Sequence, residues 1–516
     1  MVNEHFWDER QALSAHELLR MGGILMRFLL SGILVIVALW PSVLSADILL
    51  YPLPGTKLAF VLQGEVMVNP GGTVTFRHPN MGNLYFRVND VSWYDIPSTP
   101  TLATRQIQKA STAQDVEACL KAANWALHQG LLRKFYEAAS AAWQISPDHP
   151  TVQRLAALRR KMDAAVLVSR EQEAIMRKFV PSSDKMQFVR SRHFLLLHDT
   201  PPTPQGKARK TRAHQRLELL ETVYESFLLK FCLAGVELEV PREHLMAVLF
   251  AEKEDYLRFS TGLRPELAKA SGYYTKKDNI SVFFDQGTNE IFQVLDQLNG
   301  KLQEVKKRAI KQRGPGTADL VRLVDTLNLL TMVARENSDI EVVSHEATHH
   351  MAAATGLMPN DAQVPLWAAE GLATYFESPK EAAWSGIGAV NEERLDWYRA
   401  LAQDGRHSNV DFIASDRIFM NAKTDEAVLH GYGQSWGLTH FLMERHPTKL
   451  IEYYRAVGRR RPNPDKPGEP PMPATPDENL AAFEEVFGSD RSALQAEWRR
   501  YMSELKTDIE MVLGLK

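Results

Sequence analysis

A chain of 516 residues, 45% hydrophobic and 24% charged, is sized and composed for a globular protein of two to four domains. Its net charge of −3 argues against a chain built wholly for nucleic acid or for an anionic surface. Two cysteines, Cys119 and Cys232, exclude a disulfide framework; far apart and next to no histidine pair, both read as buried thiols.

Residues 1–46 hold an apolar run from Phe28 to Trp40, preceded by Arg27 and followed by Pro41 and Val43-Leu-Ser-Ala46. That is the pattern of an export signal cleaved after Ser45 or Ala46, and the run is short for a membrane span. The rival reading is an uncleaved anchor that attaches the protein to a membrane. Glu4, Asp8, Glu9 and Glu17 do not suit a basic leader, which points to Met21 or Met26 as the translated start. Either way the remaining chain is expected outside the cytoplasm: periplasmic, at the cell surface or secreted.

Residues 47–100 read as a small β unit. Leu49–Leu53, Lys57–Leu62, Thr73–Arg77 and Leu84–Val88 are β-type runs, separated by the turn signals Pro54-Gly55, Asn69-Pro-Gly-Gly72 and Asn80-Met-Gly-Asn83. Residues 101–180 turn helical and alanine-rich, like one tetratricopeptide-type hairpin. A single unit of that kind makes no solenoid, so a spacer packed on its neighbours is expected, with partner binding as the other reading. Further on, His193–His198, Leu245–Phe250, Gly272–Tyr274 and Ile280–Phe284 read as strands, with a helix around Leu217–Phe231. The basic run Lys207–Arg212 has no interleaved aromatics and reads as a solvated loop, not a nucleic-acid site. Residues 286–337 carry two helical periodicities, expected as an insertion that could shape or cover a cleft.

The chemistry is concentrated in Ser338-Asp-Ile-Glu-Val-Val-Ser-His345-Glu346-Ala-Thr-His349-His350 and in Pro365-Leu-Trp-Ala-Ala-Glu370-Gly371-Leu-Ala-Thr-Tyr-Phe-Glu377. On a helix, His345 and His349 fall one turn apart on one face and can bind one Zn²⁺, with Glu346 placed to work on the metal's water. Ser338 with Glu341 reads as a capping box that starts this helix, and Gly356 as its stop. Pro365 can open a second helix, which brings Glu370 as a third ligand. Two neutral imidazoles and one carboxylate leave the metal a net charge of about +1 and an open fourth position. His350 lies about 100° around the helix from His349 and reads as a packing residue.

His-Glu-x-x-His, some twenty residues, then Glu-Gly-Leu-Ala-x-Tyr-Phe-Glu resembles the gluzincin zinc metallopeptidases, and within them a group of exported bacterial proteins whose peptidase-like domain has no known function. The resemblance implies an α+β catalytic domain over 185–460, with a mixed-sheet lobe before the metal helix and a helical lobe after it. It implies zinc as cofactor, a peptide or protein as substrate, and an edge strand that holds the substrate backbone, for which Ser281–Phe284 is the candidate. It also implies a helix across the cleft. His430-Gly-Tyr432 is similar to that helix, which makes Tyr432, and after it His430, candidates to stabilise the oxyanion. Thermolysin-like members carry a carboxylate four residues after the third ligand. Thr374 stands there in this chain, so the partner of the zinc histidines is open, with Glu377 as a substitute. Gly371 and Ala373 would let two helices close around the metal. A proline-rich linker over 461–480 and a helical cap over 481–516 end the chain.

The expected function is therefore an exported zinc peptidase, tilted toward an endopeptidase because no Gly-x-Met-Glu-Asn motif precedes the metal helix. The alternative is an exported binding or scaffold protein with a structural or residual metal site. Glu346 favours the enzyme, since a purely structural zinc has no use for a general base.

Overall fold

The computed structural model describes residues 48–507 and 510, apart from 53–58, 79–80, 95–96, 168, 205–209, 315, 381 and 461–473. The signal or anchor stretch 1–46 and most of the proline-rich linker lie outside these residues. Among the described residues no helix is long and apolar enough to cross a membrane. The architecture is α+β.

Six short strands come first: β1 (Ile48–Pro52), β2 (Ala59–Gln63), β3 (Glu65–Asn69), β4 (Thr73–His78), β5 (Gly82–Arg87) and β6 (Ser92–Tyr94). They form two antiparallel sheets, ordered β2-β1-β6 and β3-β4-β5. Of these, β3 and β6 had no signal in the sequence, being short and interrupted by polar residues. Five helices follow: α1 (Thr99–Thr112), α2 (Val116–His128), α3 (Leu132–Ile145), α4 (Pro150–Asp163) and α5 (Arg170–Phe179). The α2–α3 pair is the expected hairpin. Its apolar face, with Leu120, Leu127 and Phe135, is continuous with the core of the next unit, so it packs on its neighbours.

The central sheet is ordered β10-β11-β9-β8-β7, from β7 (Gln187–Arg190), β8 (Phe194–His198), β9 (Leu245–Phe250), β10 (Gly272–Thr275) and β11 (Ile280–Phe284). Strands β8, β9 and β11 run parallel and every residue in them is buried, which is why each reads as a largely apolar run without alternation. Their side chains alternate between two cores. Phe194, Leu196, Ala247, Leu249 and Phe283 face α6 (Arg212–Leu233) and the metal helix, while Leu195, Leu197, Val248, Val282 and Phe284 face α5 and α7 (Lys253–Leu263).

Two sequence expectations are corrected here. Ser281–Phe284 is not an edge: β11 pairs with β9 on one side and β10 on the other, and the edge strand on that side of the sheet is β10. An all-buried apolar strand belongs inside a sheet, and the half-buried Gly-Tyr-Tyr-Thr outside it. The metal helix also does not begin at Ser338. After α8 (Glu290–Gln312), closed by Arg313 in the left-handed conformation, the chain runs as one helix, α9, from Thr317 to Ala354. No Gly or Pro interrupts residues 317–354, so Ser338 is a helix-interior residue and the capping signature has no break to cap. The N-terminal half of α9 pairs with α8 as an antiparallel hairpin, on which the β unit docks through Tyr51, hydrogen-bonded to Thr326, and through Leu329.

Downstream come α10 (Leu366–Phe376), the small hairpin β12 (Pro379–Lys380) and β13 (Ala383–Trp384), then α11 (Glu392–Leu401), α12 (Val410–Ala414), α13 (Arg417–Met420) and α14 (Asp425–Arg445). Helices α15 (Pro447–Gly458), α16 (Pro476–Phe487) and α17 (Arg491–Glu504) close the fold, with Phe483 and Trp498 anchoring the last two in the core.

Candidate metal centre

Residues four apart on α9 bring the Nε2 atoms of His345 and His349 to 3.2 Å. Helix α10 carries Glu370 against them, its Oε2 at 3.2 Å from the first nitrogen and 3.5 Å from the second. Asp416 fixes where α10 starts: its carboxylate accepts the Leu366 and Trp367 N–H groups, each at 2.8 Å, and so caps the helix that delivers Glu370. Burial pushes the Asp416 carboxyl up to about 6, against those two hydrogen bonds.

Donor atoms 2.0–2.1 Å from a tetrahedral ion lie about 3.4 Å apart. The separations of 3.2, 3.2 and 3.5 Å meet that requirement. Among the described residues, His345, His349 and Glu370 are the one His/Cys/Asp/Glu group arranged to hold a metal ion. The donor set suits zinc, and it leaves a fourth position for a small ligand.

Glu377, one residue beyond α10, is buried with Oε2 at 2.8 Å from His345 Nδ1. It fills the place that Thr374 does not: the Thr374 hydroxyl donates to the Glu370 carbonyl inside α10, at 2.8 Å. Bound at Nδ1, the His345 ring would offer Nε2 to a metal ion. Oε1 of Glu377 accepts from Arg394 Nε at 2.9 Å and from Asn391 Nδ2 at 3.2 Å. Burial raises the Glu377 carboxyl, but Arg394 and His345 outweigh it and hold the group below the ordinary range. Arg394 also binds Glu341 Oε1 at 2.8 Å, and its guanidinium carbon lies 5.6 Å from the Tyr432 ring centre. Burial, then the neighbouring Glu377, pushes Glu341 up to about 8.

Glu346 is buried beside the ligands, and its carboxylate accepts the backbone N–H of Tyr274 on β10. Burial raises its carboxyl, while His345 and His349 pull it down. Gly272 makes this approach feasible: a Cβ there would meet Val342 Cγ1 at 2.6 Å and Glu346 Cγ at 3.2 Å. Gly371 answers a different need from the one expected, since a Cβ there would meet the Ser435 carbonyl of α14 at 2.9 Å, not the metal helix. His350 packs as the sequence suggested, with Nδ1 3.1 Å from Ser281 Oγ and its ring stacked on Tyr274 at 4.9 Å. Burial holds its pKa down to about 3, so the ring is neutral.

Tyr432 and His430 part company. The Tyr432 ring lies 6.3 Å from the His345 ring, and the charge of Glu370, then burial, raises its hydroxyl well above the ordinary value. Two residues earlier, about 200° around α14, His430 directs Nδ1 to the Trp397 carbonyl at 3.3 Å. The site therefore unites His345, Glu346, His349, Glu370 and Tyr432, adds Glu377, Arg394 and the N–H of Tyr274, and turns His430 to the α11 side.

Residues 339–463 match a family model described as a protein of unknown function (DUF1570). No curated protein and no solved structure matches the chain. The DUF1570 stretch begins inside α9 and runs past the end of α15, so it contains every side chain of the centre. It excludes the central sheet, β10 included, and the whole α8–α9 arm before residue 339.

Proposed function

We propose that this chain is an exported zinc-dependent hydrolase that cleaves internal peptide bonds. The observation that carries the reading is the convergence of His345 Nε2, His349 Nε2 and Glu370 Oε2 at 3.2–3.5 Å, with a buried non-ligating carboxylate, Glu346, beside them. A zinc ion held by those three atoms would polarise a substrate carbonyl and acidify water at the open position. Glu346 accepts the proton of the attacking water and returns it to the departing amine. Its burial-raised carboxyl suits both halves of that task, because a base of higher pKa takes the proton more readily. Tyr432 donates its O–H to the developing oxyanion. The outer edge of β10, which no other strand among the described residues pairs, holds the substrate backbone by strand addition beside Glu346. Resemblance to the gluzincins turns hydrolase into peptidase, and the apolar run Phe28–Trp40 supplies the export.

The test is Glu346→Gln, assayed on peptide libraries beside the wild type with bound metal measured in both. The expected result is one zinc per chain in each and cleavage by the wild type alone. A wild type that holds one zinc yet cleaves nothing the variant spares sinks the peptidase reading.

A further inference from the structure

Helix α8 is 23 residues long and buries one of them, Phe292. Its contacts with α9 run along one side: Arg335 to Asp296 at 2.6 Å, Asn299 to Thr331 at 3.2 Å, and Lys306 to Asp325. Several of its large apolar residues meet solvent. Ile291, Val294, Leu298, Val305 and Ile310 are each 44–60% exposed. At 100° per residue, the first four of those α8 residues fall within about 60° of the helix circumference. That is a continuous stripe, not the scattered single apolar residues any surface carries.

The charge beside it is equally uneven. Residues 301–313 hold Lys301, Lys306, Lys307, Arg308, Lys311 and Arg313 against one acid, Glu304, in a chain whose net charge is −3. Lys301, Lys311 and Arg313 make no ion pair among the described residues, and Lys301 and Arg308 flank the apolar stripe. A narrow apolar stripe edged by unpaired cations, with no aromatic residue in it to stack on a base, fits neither nucleic acid nor a water-facing helix.

We propose that this face of α8 lies on an anionic lipid surface, with Ile291, Val294, Leu298 and Val305 in the acyl boundary and Lys301 and Arg308 among the phosphate headgroups. This interaction surface is separate from the metal centre and does not rest on its function. Anionic headgroups supply the charge the basic stretch lacks within the fold, and the acyl layer covers the stripe that α9 leaves bare. Each basic residue near such a surface adds about fivefold to partition, so the face prefers anionic to neutral lipid.

A polarity-sensitive dye read locally in the full chain tests this, whatever residues 1–47 contribute to binding. Cys119 and Cys232 are buried, so a dye reacts with an introduced cysteine. Val305→Cys places it in the stripe, and Gly300→Cys places it about 150° away, where a side chain meets nothing within 4 Å. With phosphatidylglycerol vesicles the dye at 305 is expected to shift to apolar emission while the dye at 300 does not. The shift should be several-fold smaller with phosphatidylcholine vesicles. An aqueous signal at 305 with both vesicles overturns the proposal, as does an equal shift on both. A concentration-dependent shift at 305 without vesicles also overturns it, and assigns the face to a second copy of the chain.

Discussion

Glu377 Oε2 lies 2.8 Å from His345 Nδ1, so one carboxylate sets the orientation of one proposed metal ligand across a separation of 32 residues. The relationship predicts a specific loss. Glu377→Gln keeps the shape but replaces the anion, and metal affinity is expected to fall about 10–100-fold. Thr374→Ala, at the position where thermolysin-like peptidases carry a carboxylate, should leave affinity unchanged. Competition with a chromophoric chelator measures both; equal affinity in wild type and Glu377→Gln would falsify the assignment.

Arg394 binds two acids, half-buried Glu341 at 2.8 Å and buried Glu377 at 2.7 Å. Removing it leaves uncompensated buried charge, which typically costs about 3–5 kcal/mol. Arg394→Met should therefore destabilise the fold strongly in urea unfolding. Arg394→Met combined with Glu377→Gln should recover part of the loss, because Glu377, held below the ordinary range by Arg394, is the buried anion left without its cation. A double variant no more stable than the single one sinks this account of the cluster.

The parts of this centre that could be read from the sequence are the local ones. His345, Glu346 and His349 are set by a helical repeat, and Glu370 by a second motif on a helix of its own, so spacing alone placed them. Glu377 was named as the substitute partner of the histidines, and the structure adds that it is His345 it holds. Arg394, Asn391 and Asp416 carry no motif: they reach the site from α11 and the start of α13, where their role depends on packing that adjacent residues do not encode. The two errors in the fold share that origin. Ser338 and Glu341 have a cap's spacing but no helix break before them, and the edge position of β10 depends on the order of strands far apart in the chain.

Gly272 predicts the geometry of the cleft. With Val342 Cγ1 at 2.6 Å from where a Cβ would stand, Gly272→Ala must push β10 off the metal helix, at a cost of about 1–3 kcal/mol. The Tyr274 N–H then leaves the Glu346 carboxylate. Peptide cleavage should fall while bound zinc, held by α9 and α10, stays at one per chain. Val342→Ala added to Gly272→Ala makes room for the new methyl group and should restore much of the activity. If the double variant is as impaired as the single one, close approach is not what this glycine provides.

A last prediction concerns acid stability, through His128 at the end of α2. Its Nε2 lies 2.7 Å from Lys230 Nζ, so the neutral ring accepts a hydrogen bond from the ammonium. Burial, then Lys230, pushes the His128 pKa down to about 4, with Glu444 opposing. Tyr375 from α10 and His440 from α14 complete the surroundings; Glu444, held down to about 2, keeps its charge above that pH. An unfolded histidine titrates near 6.5, so between pH 6.5 and 4 the unfolded chain binds a proton that the folded one refuses. The contribution of His128 is thus complete above pH 6.5 and is lost as pH falls, by about 3 kcal/mol over the window. Asp339 and Asp416, pushed up to about 6, act in the opposite sense, so the informative quantity is a difference between variants. His128→Gln keeps an acceptor for Lys230 but cannot titrate. In urea unfolding from pH 7 to 4.5, the stability of wild type relative to this variant should decline with falling pH; a difference that does not move with pH would show that His128 is not held neutral in the folded chain.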